Sequence, residues 1–401
     1  MDYAATLFHS ELGYVVLLFG LFVVPKVLQR WRLPSAITAF ALGAAGGIGA
    51  GLFQHDNTLH LLSTFGISAL FLFAGLEVDF HALRERARVL AQHLSVRVLM
   101  LGAVAAAAVQ FFALEPRAAV LLALALLIPS TGFILDSLAS FGLSAEEARW
   151  VKDKAIATEL LALVILFVAL QSTSATRLGL ALLALGAIIA VLPPLFRFFA
   201  VVVVPYAPKS EFAFLLMMAI VMAYATRQLG VYYLVGAFLV GVAARRFREA
   251  LPAVASERML HAVEVFASFF APFYFLVGGA ELRAEDLGTD ALLLGLGFAA
   301  VMLPFRMGAV MLQRRLALGE RAAHSLRVAL PMQPTLIFTL VIAGILRDRF
   351  ALPSPLFGAL IVYAVLDTTL PGLILRSAPP VFDEPTLPDE GVAIGATASD
   401  T

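Results

Sequence analysis

Long apolar runs, separated by short polar segments, fill most of this chain of 401 residues. A helix that crosses the hydrocarbon core of a bilayer takes roughly 20 residues at about 1.5 Å each, and most of the runs reach that length. The pattern predicts an all-α polytopic membrane protein with about 13 transmembrane helices. We place the helices at residues 10–29, 33–53, 58–80, 89–113, 117–139, 149–171, 177–203, 211–228, 231–247, 257–280, 288–313, 322–346 and 355–376.

The polar segments between the runs give an orientation. Basic residues such as Lys26, Arg84 and Arg245 fall in alternate loops, whereas the loops between them hold few, such as Arg177 and Arg283. Short cytoplasmic loops carry the excess of lysine and arginine. We therefore predict a multi-pass protein of the cell (inner) membrane, with its N-terminus outside and its C-terminus in the cytoplasm.

Composition agrees with this class and excludes others. The chain is 61% hydrophobic and 14% charged, with a mean hydropathy of +0.93, which is too apolar for a water-soluble domain. It has no cysteine, so disulfides and thiolate metal sites are excluded. Its net charge is zero, and the basic residues form no continuous face. We expect a protein of the lipid bilayer, with no enzymatic activity, cofactor or nucleic-acid partner.

Two short motifs recur at nearly one spacing. The segment 71–77 ends the third apolar run and the similar segment 275–281 ends the tenth, 204 positions later. Proline interrupts the fifth run at 129–131 and the twelfth at 331–335. Corresponding runs are seven apart, and an odd number reverses their direction through the membrane. We predict two inverted six-helix repeats, at about 10–171 and 211–376, joined by a connector helix at 177–203.

The two proline breaks predict a polar site in mid-membrane. Proline removes a backbone donor and frees a carbonyl one turn earlier, and such backbone is tolerated where it lines a cavity or meets another helix end. We expect the fifth and twelfth helices to be discontinuous and to cross. The polar side chains at the breaks, which we expect to line the crossing, are Ser130, Thr131, Gln333 and Thr335.

The sixth run contains one carboxylate, Glu159, about two turns inside its charged end. A carboxylate at that depth is costly, by roughly 2–3 kcal/mol on insertion scales, so we interpret Glu159 as a proton or ion site. Arg306 reaches a similar depth and is its predicted charge partner. Asp367 and Glu264 are possible second carboxylates, or structural partners of Arg306. We expect Arg97 to extend to the membrane surface or to pair locally.

Several of these segments resemble the monovalent cation:proton antiporter-2 family, over about 10–376. The resemblance implies a mobile core, at about 89–171 and 288–376, and a dimerisation scaffold, at about 10–80 and 211–280. It also implies a homodimer that exchanges sodium or potassium for protons. Two positions depart from the family pattern, since Thr158-Glu159 replaces a pair that ends in Asp, and Gln333 lacks the usual Gly-Gly-Glu after it. The segments that carry the resemblance are 70–79, 129–132, 155–163, 236–241 and 275–278.

The acid chemistry predicts how such an exchange works. Hard monovalent cations prefer oxygen ligands, which Glu159, Thr158, Ser130 and Thr131 offer. A proton and a cation then compete for Glu159, and alternating access couples their flows. Thr158 carries no second proton and arginine stays charged, so we expect electroneutral one-for-one exchange.

Two other functions remain open from the sequence. The first is a carrier of an organic anion or another solute on the same scaffold, in which Arg306 binds the substrate carboxylate. The second is a membrane sensor that has lost transport. The Pro-, Gly- and Ala-rich segment 377–401 contains Asp383, Glu384, Asp389 and Glu390 and is predicted to be a disordered acidic tail.

Overall fold

A computed structural model describes residues 11–51, 53, 56–207, 210–228, 233–250 and 257–375. In this part of the chain all regular secondary structure is helical, with no strand. The predicted tail at 377–401 lies outside the described residues. The helices are α1 (Glu11–Gln29), α2 (Ser35–Ala50), α3 (Asn57–Leu76), α4 (Phe80–Glu85), α5 (Ala87–Phe112), α6 (Pro116–Leu127), α7 (Thr131–Ser137), α8 (Ala145–Gln171), α9 (Ala175–Phe198), α10 (Glu211–Gln228), α11 (Tyr233–Ala250), α12 (Glu257–Ala280), α13 (Thr289–Leu318), α14 (Ala322–Ala329), α15 (Leu336–Phe350) and α16 (Ser354–Leu375).

The prediction of an all-α membrane protein is confirmed. Every predicted apolar run coincides with one helix or with a pair of shorter ones. Among the described residues, 8 helices are long and apolar enough to cross a membrane, or 9 if a bent pair counts as one span. The count of about 13 crossings and the inverted repeats therefore stay predictions.

Both predicted breaks are present. The fifth run is divided into α6 and α7, because Ile128, Pro129 and Ser130 leave the helical conformation. The twelfth run is divided into α14 and α15. A short 3₁₀ turn at Leu330–Met332 extends α14, and the axis of this extended segment differs from that of α15 by 49°. Proline at each break removes a backbone donor, so these helices end where the sequence predicted.

The helices pack in two groups. In the first group, α12 packs against α2 and α3, and α11 packs against α3 and α10. In the second group, α13 and α15 pack against α16, and α6 packs against α5, α8 and α15. Contacts between the groups are fewer and include α3 with α7 and α2 with α16. Each group thus has its own dense packing, with a thinner interface between them.

Glycine sets the closest approach within the first group. A Cβ atom added to Gly43 of α2 would lie 1.9 Å from the carbonyl oxygen of Leu276, and one added to Gly279 of α12 would lie 2.0 Å from that of Phe40. Any side chain would clash with the facing backbone. Small residues allow such contact between helices in membranes, where packing rather than the hydrophobic effect holds helices together.

The outer surface is apolar where lipid is expected. Leu99 of α5 is 73% exposed, and Leu183 of α9 is 73% exposed. In the long segment 175–203, only 11% of the most apolar stretch is buried inside the protein. The helix α9 therefore lies at the periphery of the chain. Exposed apolar side chains of this kind are suited to contact with lipid and unsuited to water.

Candidate ion-binding site

The two broken helices meet at Ser130. Its backbone N–H donates to the carbonyl oxygen of Pro334 at 2.7 Å. Its hydroxyl oxygen accepts hydrogen bonds from the backbone N–H groups of Ile337, at 3.0 Å, and Phe338, at 3.2 Å. The first N–H groups of a helix have no partner within it, and a serine usually supplies one as an N-cap. Ser130 therefore caps α15 from the other broken helix.

The carbonyl end of α6 is also satisfied by the second broken region. The hydroxyl of Thr339 donates to the carbonyl oxygen of Ala125 at 2.7 Å, and that of Tyr363 donates to Leu126 at 2.7 Å. Without these donors, buried carbonyl groups would have no partner in the membrane. The predicted meeting of the fifth and twelfth helices is thus present in the structure.

A buried ion pair holds the break between α14 and α15. Arg306 and Asp367 lie 3.0 Å apart, and both side chains are 0% exposed. Arg306 also donates to the carbonyl oxygens of Met332, at 3.1 Å, and Gln333, at 2.7 Å. Asp367 accepts from the Thr335 hydroxyl at 2.8 Å and from its N–H at 3.3 Å. The Arg306 guanidinium thus binds the carbonyl end of the first segment, which carries partial negative charge. The Asp367 carboxylate binds the N–H start of the next segment, which carries partial positive charge.

This geometry corrects one prediction from the sequence. The partner of Arg306 is Asp367, and no ion pair joins Arg306 to Glu159 in the described part of the chain. Depth along a helix allowed both pairings, but only Asp367, on α16, packs against the face of α13 that carries Arg306. Asp367 therefore has the structural role that the sequence left open for it.

Glu159 lies at the other break and lacks such a partner. Its side chain is buried, at 5% exposed, and lies close to the hydroxyl and backbone N–H of Thr131, the first residue of α7. Within the described residues, no lysine, arginine or histidine forms an ion pair with it. Thr131 is 1% exposed, and its hydroxyl oxygen makes no hydrogen bond in the described part of the chain. A carboxylate and a hydroxyl thus face each other at the positive end of a helix.

A small cleft of about 10 Å³ opens beside Glu159. This is about the space that one water molecule occupies, so the cleft suits a proton carrier or a largely dehydrated ion. It brings Ser130, Thr131 and Glu159 together, as the sequence predicted. The apolar remainder of its wall consists of Leu70, Phe71, Ala74, Gly132, Ile337 and Phe338.

Ser130 and Thr158 differ from their predicted roles. The Ser130 oxygen already accepts two N–H groups, which uses both of its lone pairs. Thr158 is not part of the cleft, because its hydroxyl donates to the Lys154 carbonyl at 2.7 Å and lies 3.1 Å from Nε2 of His93. Neighbouring residues on a helix point about 100° apart, so Thr158 and Glu159 face different helices.

The other predicted lining residues lie outside the cleft. Glu264 is exposed, with Nδ1 of His261 at 3.5 Å, and borders a larger cavity. Gln333 is 0% exposed and donates to the Ala329 carbonyl at 2.8 Å. Thr335 is bound to Asp367. These side chains complete the hydrogen bonding of the break or face the cavity, and none of them reaches Glu159.

Two larger cavities lie on either side of the crossing. One, of about 290 Å³, shares Leu70, Gly132 and Ile337 with the cleft beside Glu159. Glu77 and Lys152 form an ion pair in its wall. The other cavity, of about 540 Å³, is lined by residues of α3, α10, α12, α15 and α16 and shares no residue with the cleft. Glu159 is therefore next to the smaller cavity only.

The structure also shows buried polar residues for which the sequence predicted no role or a different one. Tyr363 is 0% exposed and joins Arg306 to α6. His93, Arg97 and Lys154 are each at most 3% exposed. The expectation that Arg97 reaches the surface or pairs locally is wrong, because it is buried and its two terminal nitrogens have no hydrogen-bond partner among the described residues. His93 and Arg97 are four residues apart and therefore share one helix face. That spacing was the available signal, whereas nothing in the sequence marked Tyr363.

Comparison with known proteins agrees with this architecture. Residues 14–378 match the family described as "Sodium/hydrogen exchanger, transmembrane". The chain belongs to this family. The resemblance to monovalent cation:proton antiporters, stated above from five short segments, is thereby confirmed over almost the whole chain.

Two kinds of relative accompany the family match. The exchanger-family chain is 25% identical to "Probable Na(+)/H(+) antiporter 3" of Methanocaldococcus jannaschii, over 90% of this chain and 95% of that protein. Its fold is similar to that of the sodium proton antiporter MjNhaP1 of the same organism at pH 8, with a TM-score of 0.62, 15% identity and coverage of 91% and 94%. An electron-microscopy structure of MjNhaP1 gives a TM-score of 0.59 at 16% identity, with coverage of 90% and 94%. These structures share the fold with this chain.

Proposed function

We propose that this protein exchanges sodium or potassium for protons by alternating access, with Glu159 as the site for both ions. The observation that carries the proposal is the contrast between two buried carboxylates. Asp367 is neutralised by Arg306, whereas Glu159 has no basic partner in the described part of the chain and borders a cleft. A carboxylate without a counter-ion in the membrane must bind a cation, either a proton or a metal ion.

The neighbours of Glu159 support cation binding. The Thr131 hydroxyl oxygen is buried and makes no hydrogen bond among the described residues, so it is available as a neutral ligand. Carboxylate and hydroxyl oxygens are what hard monovalent cations require. A proton and a metal ion cannot occupy the same oxygen atoms together, so they compete.

Alternating access follows from the two packing groups. The group that contains α5–α8 and α13–α16 carries Glu159, and the group that contains α2, α3 and α10–α12 forms the opposite wall of both cavities. This division supports the proposed core, 89–171 and 288–376, and scaffold, 10–80 and 211–280. Movement of the core against the scaffold would close the smaller cavity and connect Glu159 to the larger one. In the predicted orientation, the smaller cavity faces the cytoplasm.

The proposed stoichiometry is electroneutral. Six further hydrogen bonds surround the ion pair of Arg306 and Asp367, so this carboxylate is poorly placed to release and take up protons. Glu159 is then the one carboxylate of the crossing that cycles. One cation is exchanged for one proton, in a homodimer of the cell membrane, as the sequence predicted.

Neither alternative from the sequence is favoured. An organic anion carrier would need a cation that can bind the substrate carboxylate at the crossing. Arg306, the predicted candidate, already contacts Asp367, Tyr363 and two backbone carbonyls. A sensor without transport would not need the cleft beside Glu159 to adjoin a polar cavity.

The test uses the purified full chain in vesicles with an imposed pH gradient. Addition of sodium, potassium or lithium should dissipate the gradient in the wild type and should have no effect in Glu159→Gln, which keeps the side-chain shape but cannot ionise. Glu264→Gln is the matched control, because Glu264 is exposed in the cavity wall and should be dispensable. Cation-driven exchange by Glu159→Gln would disprove the proposal. A membrane current that accompanies exchange would disprove its electroneutral part.

A further inference from the structure

Ser68 of α3 has a buried hydroxyl group without a partner. The side chain is 0% exposed, and its Oγ atom makes no hydrogen bond among the described residues. A hydroxyl group inside a helix can donate to the carbonyl oxygen four residues earlier, as Thr64 of the same helix does to His60 at 2.9 Å. A hydroxyl group that is shielded from water and makes no hydrogen bond is costly. Ser68 thus carries a polar group that the packing in this structure does not use.

Ser68 lies in the wall of the larger cavity, at the end of that wall nearest to the cleft along α3. The α3 residues of the larger cavity are His60, Ser63, Thr64 and Ser68. The α3 residues of the cleft beside Glu159 are Leu70, Phe71 and Ala74. Ser68 is three residues before Phe71, which is about 4.5 Å along the helix axis, and residues with this spacing are neighbours on the helix surface.

The helix α15 shows the same step between the two spaces. Its residues in the cleft are Ile337 and Phe338, and those in the larger cavity include Leu340 and Val341, each three residues later. About one helical turn therefore separates the cleft from the larger cavity along both helices. Phe71 and Phe338 belong to the cleft side of this turn and are at most 3% exposed. Ser68 is the first polar residue of α3 on the other side of it.

We propose that Ser68 is a ligand of the transported monovalent cation when the ion site is open to the larger cavity. The helix α3 belongs to the scaffold, whereas Glu159, Thr131 and α15 belong to the core. Movement of the core by about one turn along α3, towards the larger cavity, would place Ser68 beside Glu159 where Phe71 lies in this structure. A hydroxyl oxygen, which suits sodium or potassium, then replaces an apolar side chain at the ion site.

The inference rests on the proposed exchange at Glu159 and adds a ligand that only one of its two states provides. A metal ion needs several oxygen ligands, whereas a proton needs only the carboxylate oxygen that it binds. Ser68 should therefore strengthen cation binding from the larger cavity and have little effect on proton binding. The two faces of the protein would then differ in their affinity for the same cation.

The test measures the apparent KM for sodium and for potassium from each face of the membrane, in right-side-out and inverted vesicles that contain the full chain. In Ser68→Ala, the KM should rise about 5-fold or more at the face of the larger cavity, the effect of losing one interaction as strong as an ordinary hydrogen bond. At the opposite face it should equal that of the wild type. Ser63→Ala is the matched control, because Ser63 is a buried serine in the same wall, five residues further from the cleft. It should equal the wild type at both faces.

Two further measurements separate a ligand from a structural side chain. The melting temperature of Ser68→Ala should be unchanged, because no hydrogen bond is lost. The chain has no cysteine, so Ser68→Cys provides a single thiol. This thiol is buried in this structure and should react with a membrane-impermeant thiol reagent only from the face of the larger cavity. Sodium at that face should slow the reaction, because the bound ion covers the thiol.

The outcomes distinguish this inference from the proposed function. If the wild type exchanges cations for protons but Ser68→Ala leaves the KM unchanged at both faces, or raises it equally at both, the inference is wrong and the proposed function stands. If Ser68→Ala does not fold, labelling of Ser68→Cys at the same rate with and without sodium would overturn the inference. Absence of cation-driven exchange in the wild type would overturn the proposed function and this inference with it.

Discussion

The buried pair of Arg306 and Asp367 allows a quantitative prediction. In Asp367→Asn the side chain keeps its shape, but Arg306 becomes an uncompensated cation that is 0% exposed. Breaking a buried ion pair by removing one partner costs about 3–5 kcal/mol in the free energy of unfolding. The asparagine can still contact Thr335 and Thr368, so we expect a value near the lower end of that range.

A double-mutant cycle separates the pair from the two side chains taken singly. Arg306→Gln should also be destabilising, because it leaves Asp367 charged and buried. The double variant Arg306→Gln/Asp367→Asn should cost less than the sum of the two by about 2 kcal/mol, since neither charge is then left alone. Reversible unfolding by sodium dodecyl sulfate in mixed micelles measures each of the four free energies.

Two results would refute this reasoning. A cost below about 1 kcal/mol for Asp367→Asn would mean that the carboxylate is not needed to balance Arg306. Additive costs around the cycle would mean that the two side chains do not interact. If Asp367→Asn instead kept its stability and changed the number of protons exchanged per cation, Asp367 would be a second carrier. Glu264→Gln, which changes an exposed carboxylate, serves as the control and should stay within about 0.5 kcal/mol of the wild type.

Three further predictions concern the crossing, the packing within the first group and the ion pairs beside the two cavities. Ser130→Ala removes the cap of α15 and should destabilise the protein by about 1 kcal/mol with slower exchange; an unchanged unfolding curve would contradict the capping role. Gly43→Ala should lower the melting temperature because its Cβ would clash with backbone, whereas Gly20→Ala, with nothing within 4 Å, should not. Lys152→Gln removes the ion pair beside the smaller cavity and Arg347→Gln removes one beside the larger cavity, at 3.8 Å from Glu281. Each of these partly exposed ion pairs is worth about 0–1 kcal/mol. For a cysteine introduced into either cavity, we therefore expect the rate of thiol labelling to change by up to about 5-fold, in opposite directions for Lys152→Gln and Arg347→Gln. Labelling rates that change equally and in the same direction in both variants would argue against two opposing ion pairs.

The local part of the fold was predictable because it depends on nearby residues. Apolar runs define the helices, and Pro129, Pro331 and Pro334 end them by removing backbone donors. The depth of Glu159 followed from counting residues at the rise of a helix. Its proximity to Thr131 followed from the expectation that the two broken helices cross.

The partners of the ionisable side chains were not predictable in the same way. Arg306 was paired with Glu159 from their similar depth, but it contacts Asp367. Thr158 was assigned to the ion site from its position next to Glu159, but it faces His93. Sequence spacing gives the depth of a side chain and its angle around its own helix. It does not state which other helix lies opposite that angle.

The sequence by itself thus determined an all-helical membrane protein with two proline-broken helices and a carboxylate, Glu159, at the depth of the breaks. Only the tertiary structure decided that Asp367 is neutralised by Arg306 and that Glu159 has no basic partner in the described part of the chain. The physical reason is the range of the interactions. Helix formation and helix breaking are set within a few residues, whereas charge compensation in a membrane depends on which helix faces are packed together.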